Sequence, residues 1–294
     1  MIIMKIQGGL GNQMYQYALG RYLSGGGETG LQFEMSYFDL PNARPFMLDK
    51  FNTKGTFSSN AWLKFYLRIP RGRRVVKHLL RPFLKVVQEP TALFHSEILQ
   101  YRGTKQDVYL SGYWSSPKYF DAIKDVLKKE FQCKVPLSDT TKYWLEQIQK
   151  DDGEPVSLHV RRGDYLASAI NRQIYKQLKP EYYQECVDRL KAQVKKPSLY
   201  IFSNDMEWTK ENLDFAGIPV HFVEGNDEDH GFEDMIIMWK CKHHIIANST
   251  FSWWGAYLSE QEGYTYSPSD WFNFQDDAHD IRDLYPDNWI QVKA

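Results

Sequence analysis

Apolar residues near the start of the chain are grouped in a way that predicts a strand, a tight turn and a helix. The segment Ile2–Ile6 is largely apolar and β-branched, the glycines within Gly8–Gly11 interrupt it, and residues 12–23 follow with helical spacing. Further strands are predicted at Leu31–Phe33 and Asp107–Ser111, and helices at 116–131 and 138–150. The first half of the chain therefore contains the elements of an α/β domain.

Beyond residue 150, strands and helices alternate regularly. Strands are predicted at 156–160, 199–203, 220–223 and 244–247, and helices at 180–194, 205–215, 232–240 and 251–259. Alternation with short links is typical of βαβ units and a parallel sheet. The polar stretch Asp151–Pro155 separates the two halves. We therefore predict an α/β protein of two domains, residues 1–150 and 151–294, which face each other across a cleft.

The charge balance and the apolar runs exclude several classes of protein. Lysine and arginine number 36 against 37 acidic residues, a net charge of −1, whereas a dedicated nucleic-acid binder is usually basic. No run approaches the roughly 18 apolar residues of a membrane span, and the N-terminus lacks the features of a signal peptide. Three cysteines without a C-x-x-C pair are expected to be reduced thiols. We expect a cytoplasmic protein that binds no nucleic acid.

One segment, residues 50–88, departs from this charge balance. Between Asp49 and Glu89 there is no acidic residue, and ten basic residues are interleaved with large apolar ones. Such a segment can pack one face on the core and leave its basic side chains in water. Alternatively, it contacts an anionic acceptor or an anionic membrane, which would place the protein peripherally on the cytoplasmic face of the inner membrane.

The clearest chemical signal is the segment His159–Tyr165, which reads HVRRGDY and directly follows a predicted buried strand. Ligands of open α/β sheets bind at this end of the strands. Adjacent side chains of an extended chain point to opposite sides, so one arginine can reach a bound pyrophosphate while the other anchors the loop. A guanidinium suits pyrophosphate because it is always charged and can contact two oxygens at once. Asp164 is expected to pair with Arg162 or to orient the turn.

A second cluster lies where the last predicted strand leads directly into a helix. Asn248, Ser249 and Thr250 are expected to cap that helix, and its N–H groups form an anion site. Gly255 and Ala256 are expected to let the helix approach the sheet closely.

The glycine turn GGLGNQ, residues 8–13, does not fit a dinucleotide-binding pattern. The sequence G-x-G-x-x-G would need glycine at the position of Met14, and no P-loop occurs. The turn can still let the backbone approach a ligand, with Asn12 and Gln13 supplying neutral hydrogen bonds. Neither the acidic pairs nor the adjacent His243 and His244 have the spacing of a metal site, so no metal is expected.

Several of these blocks together resemble glycosyltransferase family 11, the α-1,2-fucosyltransferases. They are Gly8–Ala18, Ser111–Trp114, His159–Tyr165, Tyr200–Asp205 and Asn248–Ala256. The resemblance implies a GT-B architecture of two facing Rossmann-like domains with parallel sheets. It further implies inverting, metal-independent transfer of L-fucose from GDP-L-fucose to the 2-hydroxyl of a terminal β-galactoside, in an oligosaccharide or a surface-polysaccharide repeat unit.

The same resemblance suggests roles for individual residues. Arg161 is expected to hold the β-phosphate and stabilise the departing GDP, and Asn12 to lie near the reacting centre. The other expected donor contacts are His159, Asp234, Asn248, Ser249, Thr250 and Phe251 in the second domain and Gly11, Asn12 and Gln13 in the glycine turn. Asp164 is available as a general base, although stabilisation of the leaving group by a fixed cation can carry most of the catalysis.

Two other functions stay open at this point. One is a glycosyltransferase that uses another nucleotide sugar. The other is a non-catalytic glycan-binding protein, because 15% of the residues are aromatic and aromatic rings stack on sugars. A lectin needs no phosphate-binding arginine, so binding of GDP separates the transferases from the lectin.

Overall fold

The computed structural model describes residues 1–26, 30–70, 82–226, 230–274 and 276–294. The chain divides into two compact units, which we call the first and the second unit. The first contains Met1–Lys134 and Arg282–Leu284, and the second contains Val135–Ile281 and Tyr285–Ala294. Part of the basic segment, including Arg71, Arg73, Arg74 and Lys77, lies outside the described residues.

The described strands of the first unit form one parallel sheet. They are β1 (Ile2–Lys5), β2 (Leu31–Glu34), β3 (Thr56–Phe57), β4 (Lys85–Gln88) and β5 (Val108–Ser111), in the spatial order β3-β2-β1-β5-β4. The helices are α1 (Leu10–Leu23), α2 (Ala61–Arg68) and α3 (Lys124–Glu130). Short 3₁₀ turns lie at Ser36–Asp39, Leu48–Lys50, Ser96–Tyr101, Pro117–Tyr119 and Asp121–Ile123. The apolar strand β1 is central and buried, as a parallel sheet requires.

A short segment from near the end of the chain completes the first unit. Asp283 accepts a hydrogen bond from the Phe94 N–H at 2.9 Å and forms an ion pair with Lys118. The first unit is therefore discontinuous in sequence.

The described strands of the second unit form a second parallel sheet. They are β6 (Glu154–Val160), β7 (Pro197–Ser203), β8 (Val220–Phe222), β9 (His243–Ile245), β10 (Thr265–Pro268) and β11 (Ile290–Val292), in the order β11-β10-β9-β6-β7-β8. The helices are α4 (Asp139–Lys150), α5 (Gly163–Ala167), α6 (Ala169–Ile174), α7 (Pro180–Gln193), α8 (Met206–Asn212), α9 (Glu233–Lys240) and α10 (Thr250–Tyr257).

The two faces of this second sheet pack against different helices. Val156, Leu158 and Val160 of β6 are fully buried on one face, in a cluster with residues of α7. On the other face, Tyr200 and Phe202 of β7 pack with residues of α4 and α9. Strands covered on both faces are nearly continuous apolar runs, which is why the sequence predicts them.

Seven of the eleven described strands of the two sheets overlap predicted strands, and three predictions about elements and domain bounds need correction. Residues 116–131 do not form one helix, because two 3₁₀ turns precede α3. The helix predicted at 12–23 begins at Leu10. The division between the units falls at residue 134 rather than 150, since Trp144, Leu145 and Ile148 of α4 pack on the sheet of the second unit. Among the described residues, no helix is long and apolar enough to cross a membrane.

Candidate functional site

Three neighbouring strands of the second unit end at the same edge of the sheet. β6 pairs with β7 so that Val160 lies opposite Ser203, and with β9 so that Leu158 lies opposite Ile245. The residues that follow these strands therefore leave the sheet side by side. This edge is where ligands bind in open parallel α/β sheets.

The two adjacent arginines after β6 have different environments. Arg162 continues the face of Val160: its guanidinium lies 3.9 Å from the centroid of the Trp208 ring, and its Nε is 3.4 Å from Asp205 Oδ2. Alternation of side chains places Arg161 on the opposite face, with His159. Arg162 is thus held internally, and Arg161 is the arginine that remains for a ligand.

Arg161 is paired with Asp164, not left alone. Its Nη2 lies 2.6 Å from Asp164 Oδ2, which corrects the expectation that Asp164 pairs with Arg162. The Nε–H of Arg161 is shielded from water and has no partner among the described residues. An unsatisfied buried donor destabilises a protein, so this N–H is a candidate for pairing with a bound anion.

His159 is buried beside this arginine and is uncharged. Burial lowers the pKa of its imidazole to about 3, and the nearby charge of Arg161 acts in the same direction. The ring lies 6.0 Å from that of Phe251, and Nδ1 has no partner within the described part of the chain. A neutral imidazole of such low basicity suits hydrogen bonding to a ligand but not proton abstraction at neutral pH.

Asn204, at the end of β7, organises the loop that carries Arg161. Its Oδ1 accepts hydrogen bonds from the N–H groups of Arg162 at 2.8 Å and Gly163 at 3.2 Å, and its Nδ2 donates to Asp164 Oδ1 at 3.0 Å. Gly163 has to lack a side chain, since a Cβ there would lie 2.9 Å from the Asn204 carbonyl oxygen. Asn204 is not among the predicted site residues, although its place directly after a strand that ends at this edge was a signal for it.

The segment after β9 reaches the same edge, but its side chains do not cap the following helix. Ser249 is the N-cap residue of α10 and makes no capping hydrogen bond through its side chain. Asn248 is fully buried, and its Nδ2 donates to the carbonyl oxygens of Lys176 at 2.8 Å and Trp271 at 2.9 Å. The predicted capping by these residues and Thr250 is therefore wrong, and the first N–H groups of α10 are left to other acceptors.

Gly255 of α10 has a different packing role from the expected one. A Cβ at this position would lie 2.7 Å from Met238 Sδ of α9. The glycine therefore allows α10 to approach α9 rather than the sheet.

Asp234 lies in the first turn of α9, in a buried polar network. Its Oδ1 accepts a hydrogen bond from Asn226 Nδ2 at 2.7 Å, and burial raises its pKa to about 6. The neighbouring Glu233 is fully buried and accepts hydrogen bonds from the N–H and Oγ of Ser138 at the N-cap of α4. Among the described residues, no hydrogen bond or ion pair joins Asp234 to His159 or Arg161.

The glycine turn of the first unit contains two side-chain amides, and only that of Gln13 is used in hydrogen bonds that hold the turn together. Gln13 is fully buried; its Nε2 donates to the carbonyl oxygens of Gly8 and Pro45, and its Oε1 accepts from the Met47 N–H. It therefore fixes the turn, which contradicts its expected role as a ligand contact. Asn12 is only half-buried and lies against Gly8, whose φ of +80° requires glycine. Gly11 is buried within α1.

Glu89, which is not among the predicted site residues, directly follows β4 at the carboxyl end of this strand of the first sheet. It accepts hydrogen bonds from the N–H groups of Tyr113 at 2.6 Å and Trp114 at 2.7 Å. Burial raises its pKa to about 7, against the opposing effect of these two bonds. A side chain on Gly112 would collide with Glu89, which explains the glycine of this block.

Within the described ranges, no group of three or more His, Cys, Asp or Glu side chains is placed to hold a metal ion. The polar groups at the edge of the second sheet are instead two arginines, a neutral imidazole, an amide and the carboxylates of Asp164 and Asp205, each of which pairs with one arginine. The Nε–H of Arg161, which has no partner among the described residues, is the donor that suits an anionic ligand.

Comparison with known proteins decides the family. Residues 88–293 match the model of glycosyl transferase family 11. The chain belongs to glycosyltransferase family 11. It is 30% identical to the alpha-1,2-colitosyltransferase of Escherichia coli over 300 residues, which cover 99% of both chains. It is also 30% identical to galactoside alpha-(1,2)-fucosyltransferase 1 of Saimiri boliviensis boliviensis over 155 residues, 51% of this chain and 42% of that protein.

A solved structure supports the fold of this family 11 glycosyltransferase. A mutant of Arabidopsis thaliana FUT1 in complex with GDP superimposes with a TM-score of 0.52 over 91% of this chain and 70% of that one, at 11% sequence identity. Two α/β units with parallel sheets and this similarity confirm the predicted GT-B fold class.

Proposed function

We propose that this glycosyltransferase transfers L-fucose from GDP-L-fucose to the 2-hydroxyl of a terminal β-galactoside, with inversion and without a metal. The observation that carries the proposal is Arg161 at the end of β6, with an unsatisfied buried N–H beside a neutral, buried His159. A permanent cation at this edge suits a diphosphate. The names of the two relatives, an α-1,2-colitosyltransferase and a galactoside α-1,2-fucosyltransferase, support the linkage and the sugar class.

In this proposal the second unit binds the donor. Arg161 contacts the β-phosphate, and the first N–H groups of α10, with Ser249 and Thr250, contact the pyrophosphate. The buried ring of His159, together with Phe251 and Asp234, contacts the guanosine. Asn248 acts indirectly, since its amide is used by two main-chain carbonyl oxygens. Of the first unit, Gly11 and Asn12 remain proposed ligand contacts.

Catalysis in this proposal depends mainly on stabilisation of the departing GDP. Negative charge develops on the β-phosphate as the glycosidic bond to GDP breaks, and a preorganised cation stabilises it. Asp164 keeps the Arg161 guanidinium oriented through their 2.6 Å ion pair. A phosphate that binds at the Nε–H of Arg161 leaves this pair in place, because Asp164 contacts Nη2, and Asp164 stays the proposed general base for the acceptor's proton.

Transfer of colitose is the second candidate, because the E. coli relative matches this chain over nearly its full length. Colitose lacks the 3-hydroxyl of fucose. A site that hydrogen-bonds this hydroxyl rejects the deoxy sugar by up to about 10⁴–10⁵-fold, whereas an apolar site does not. A competition assay with GDP-fucose and GDP-colitose, in which the amounts of the two products are compared, therefore identifies the donor.

The test is incubation with GDP-fucose and a panel of galactosides, followed by mass and linkage analysis. Arg161→Ala should lower the turnover on the order of 10²–10³-fold, as removal of an oxyanion donor does. Arg161→Lys should also be poor, because a lysine cannot contact two oxygens at once. Arg162→Ala should mainly lower the melting temperature, since Arg162 packs on Trp208.

Arg189→Ala is the matched control, because Arg189 pairs with Glu185 on the exposed side of α7. Near-normal turnover by a folded Arg161→Ala protein would refute the assignment of Arg161. Binding of a galactoside without binding of GDP in isothermal titration would instead favour the glycan-binding protein.

A further inference from the structure

The surface of the first unit around α2 exposes large apolar side chains next to basic ones. Five apolar side chains here are 43–65% exposed, out of twelve comparably exposed large apolar side chains in the described residues. We define the α2 surface by these five and two basic neighbours: Phe57, Trp62, Phe65, Leu67, Phe83, Lys64 and Arg68. Such a concentration of exposed apolar area marks an interaction site in a soluble protein.

The position of α2 is fixed by one side of the helix. Asn60 caps it by accepting a hydrogen bond from the Leu63 N–H at 2.9 Å, and Asn60 Nδ2 donates to Asp107 at 2.6 Å. Leu63 is buried in a cluster with Leu84, and Tyr66 packs against that cluster. At 100° per residue, Lys64, Phe65 and Arg68 then point away from the core. The outward side of α2 is thus a fixed mixture of aromatic and basic groups.

The basic residues of α2 are not paired with acidic side chains among the described residues, although Glu34 and Lys64 line the same cavity. Lys64 and Arg68 form no ion pair with any described residue, and the sequence from residue 50 to 88 contains no acid. α4 behaves differently: its Lys142 pairs with Asp139, and its Lys150 pairs with Glu146. The charge of the α2 surface is therefore left for an external anion.

Apolar features lie on both flanks of the helix. On one flank the Trp62 and Phe83 rings stack at 4.4 Å and 15°, although both are about half exposed. On the other flank lies a cavity of about 380 Å³, whose wall contains Phe33, Phe57, Leu63 and Leu67 together with the charged Glu34 and Lys64. Lysine and arginine beside tryptophan and phenylalanine are typical of the boundary between headgroups and acyl chains.

We propose that the α2 surface binds an anionic lipid membrane. Trp62 and Phe65 enter the headgroup region, and Lys64 and Arg68 pair with lipid phosphates while their aliphatic stems cover apolar area. A polyanion such as a nucleic acid would satisfy the charges but would leave Phe57 and Leu67 in water. A membrane satisfies both kinds of group.

The test uses the whole protein and vesicles of phosphatidylcholine with or without about one third phosphatidylglycerol. The wild type should sediment with the anionic vesicles only, and binding should weaken as salt rises. Replacing Lys64 and Arg68 by Gln should weaken binding on the order of 25-fold, since each basic residue near such a surface contributes about fivefold. Trp62→Ser with Phe65→Ser should weaken it by tenfold or more, because interfacial insertion scales with apolar area.

The matched control replaces Lys142 and Lys150 by Gln and Tyr143 by Ser on α4, where Tyr143 is 52% exposed. This control should bind the anionic vesicles as the wild type does, whereas the Gln variants of α2 should bind them weakly. The circular dichroism spectra of all these variants should match that of the wild type. The proposal is overturned if the wild type ignores anionic vesicles at low salt, or if the aromatic variant binds them as well as the wild type. It is also overturned if light scattering shows a dimer that Trp62→Ser dissociates, which would make the surface a contact between copies.

Discussion

Replacing Asn204 by Ala should weaken donor binding by releasing the loop that carries Arg161. The substitution removes three hydrogen bonds, at 2.8, 3.2 and 3.0 Å, that hold residues 162–164. At about 1 kcal/mol net for each bond, the ordered loop loses roughly 2–3 kcal/mol relative to disordered forms. If only the ordered loop binds GDP, and the ordered form is only marginally favoured in the wild type, the dissociation constant should rise by up to about 30- to 150-fold.

Asn204→Asp provides a second, pH-dependent test of the proposed role of Asn204 in holding the loop. The aspartate keeps the acceptor for the two N–H groups but places a second carboxylate next to Asp164. One of the two carboxyl groups should then have a raised pKa, and protonation restores a donor. GDP binding by this variant should therefore improve as the pH falls from 8 to 5, more than wild-type binding does.

Isothermal titration with GDP at several pH values is the assay, and thermal unfolding shows that each variant is folded. Asn212→Ala is the control, because Asn212 is the last residue of α8 and, among the described residues, its Nδ2 donates only to the Trp208 carbonyl oxygen. GDP affinity of folded Asn204→Ala within twofold of the wild type would refute the positioning role.

Three other predictions concern packing, pH and metal. Gly255→Ala should lower the free energy of unfolding in urea by about 1–3 kcal/mol, because the new Cβ meets Met238. Gly9→Ala is the control, since its new Cβ would have no atom within 4 Å and should not cause such a loss. Equal stability of the two variants would contradict the packing argument. Glu89 has a pKa raised to about 7, so its favourable contribution is complete below about pH 4.5 and is lost as the pH rises through 7. The unfolding free energy of the wild type should therefore fall by up to about 3 kcal/mol relative to Glu89→Gln over that range, and parallel pH profiles would exclude this. Transferase activity should persist in excess EDTA, and its loss with recovery on adding Mg²⁺ or Mn²⁺ would reverse the prediction.

The strands of the second sheet could be predicted from the sequence, and so could the two environments of the arginine pair. β6 is buried on both faces and therefore reads as a nearly continuous apolar run. Alternation along that strand is a local property, so it correctly places Arg162 with Val160 on the packed face. Both features depend only on neighbouring residues.

Contacts between distant residues could not be predicted. Asn248 does not cap α10: its Nδ2 donates to the carbonyl oxygens of residues 176 and 271, which are distant in sequence, and its Oδ1 accepts no hydrogen bond from the described residues. Asp164 had two arginines within reach, and the choice of Arg161 depends on Asp205 and Trp208 occupying the other. Elements in the basic segment, such as α2 and β4, were not predicted. In α2 the exposed Trp62, Phe65 and Leu67 place apolar residues outside the core-facing stripe of Leu63 and Tyr66, which obscures the helical pattern.

The return of Arg282–Leu284 to the first unit has a consequence for synthesis of the protein. Lys118 and the Phe94 N–H receive their partner Asp283 only after a further 165 and 189 residues, respectively, have been made. At about 5–20 residues per second, the first unit waits on the order of ten to thirty seconds on the ribosome before its last contacts can form. Nascent chains arrested before residue 282 should therefore carry a first unit that proteases cleave more readily than in the finished protein.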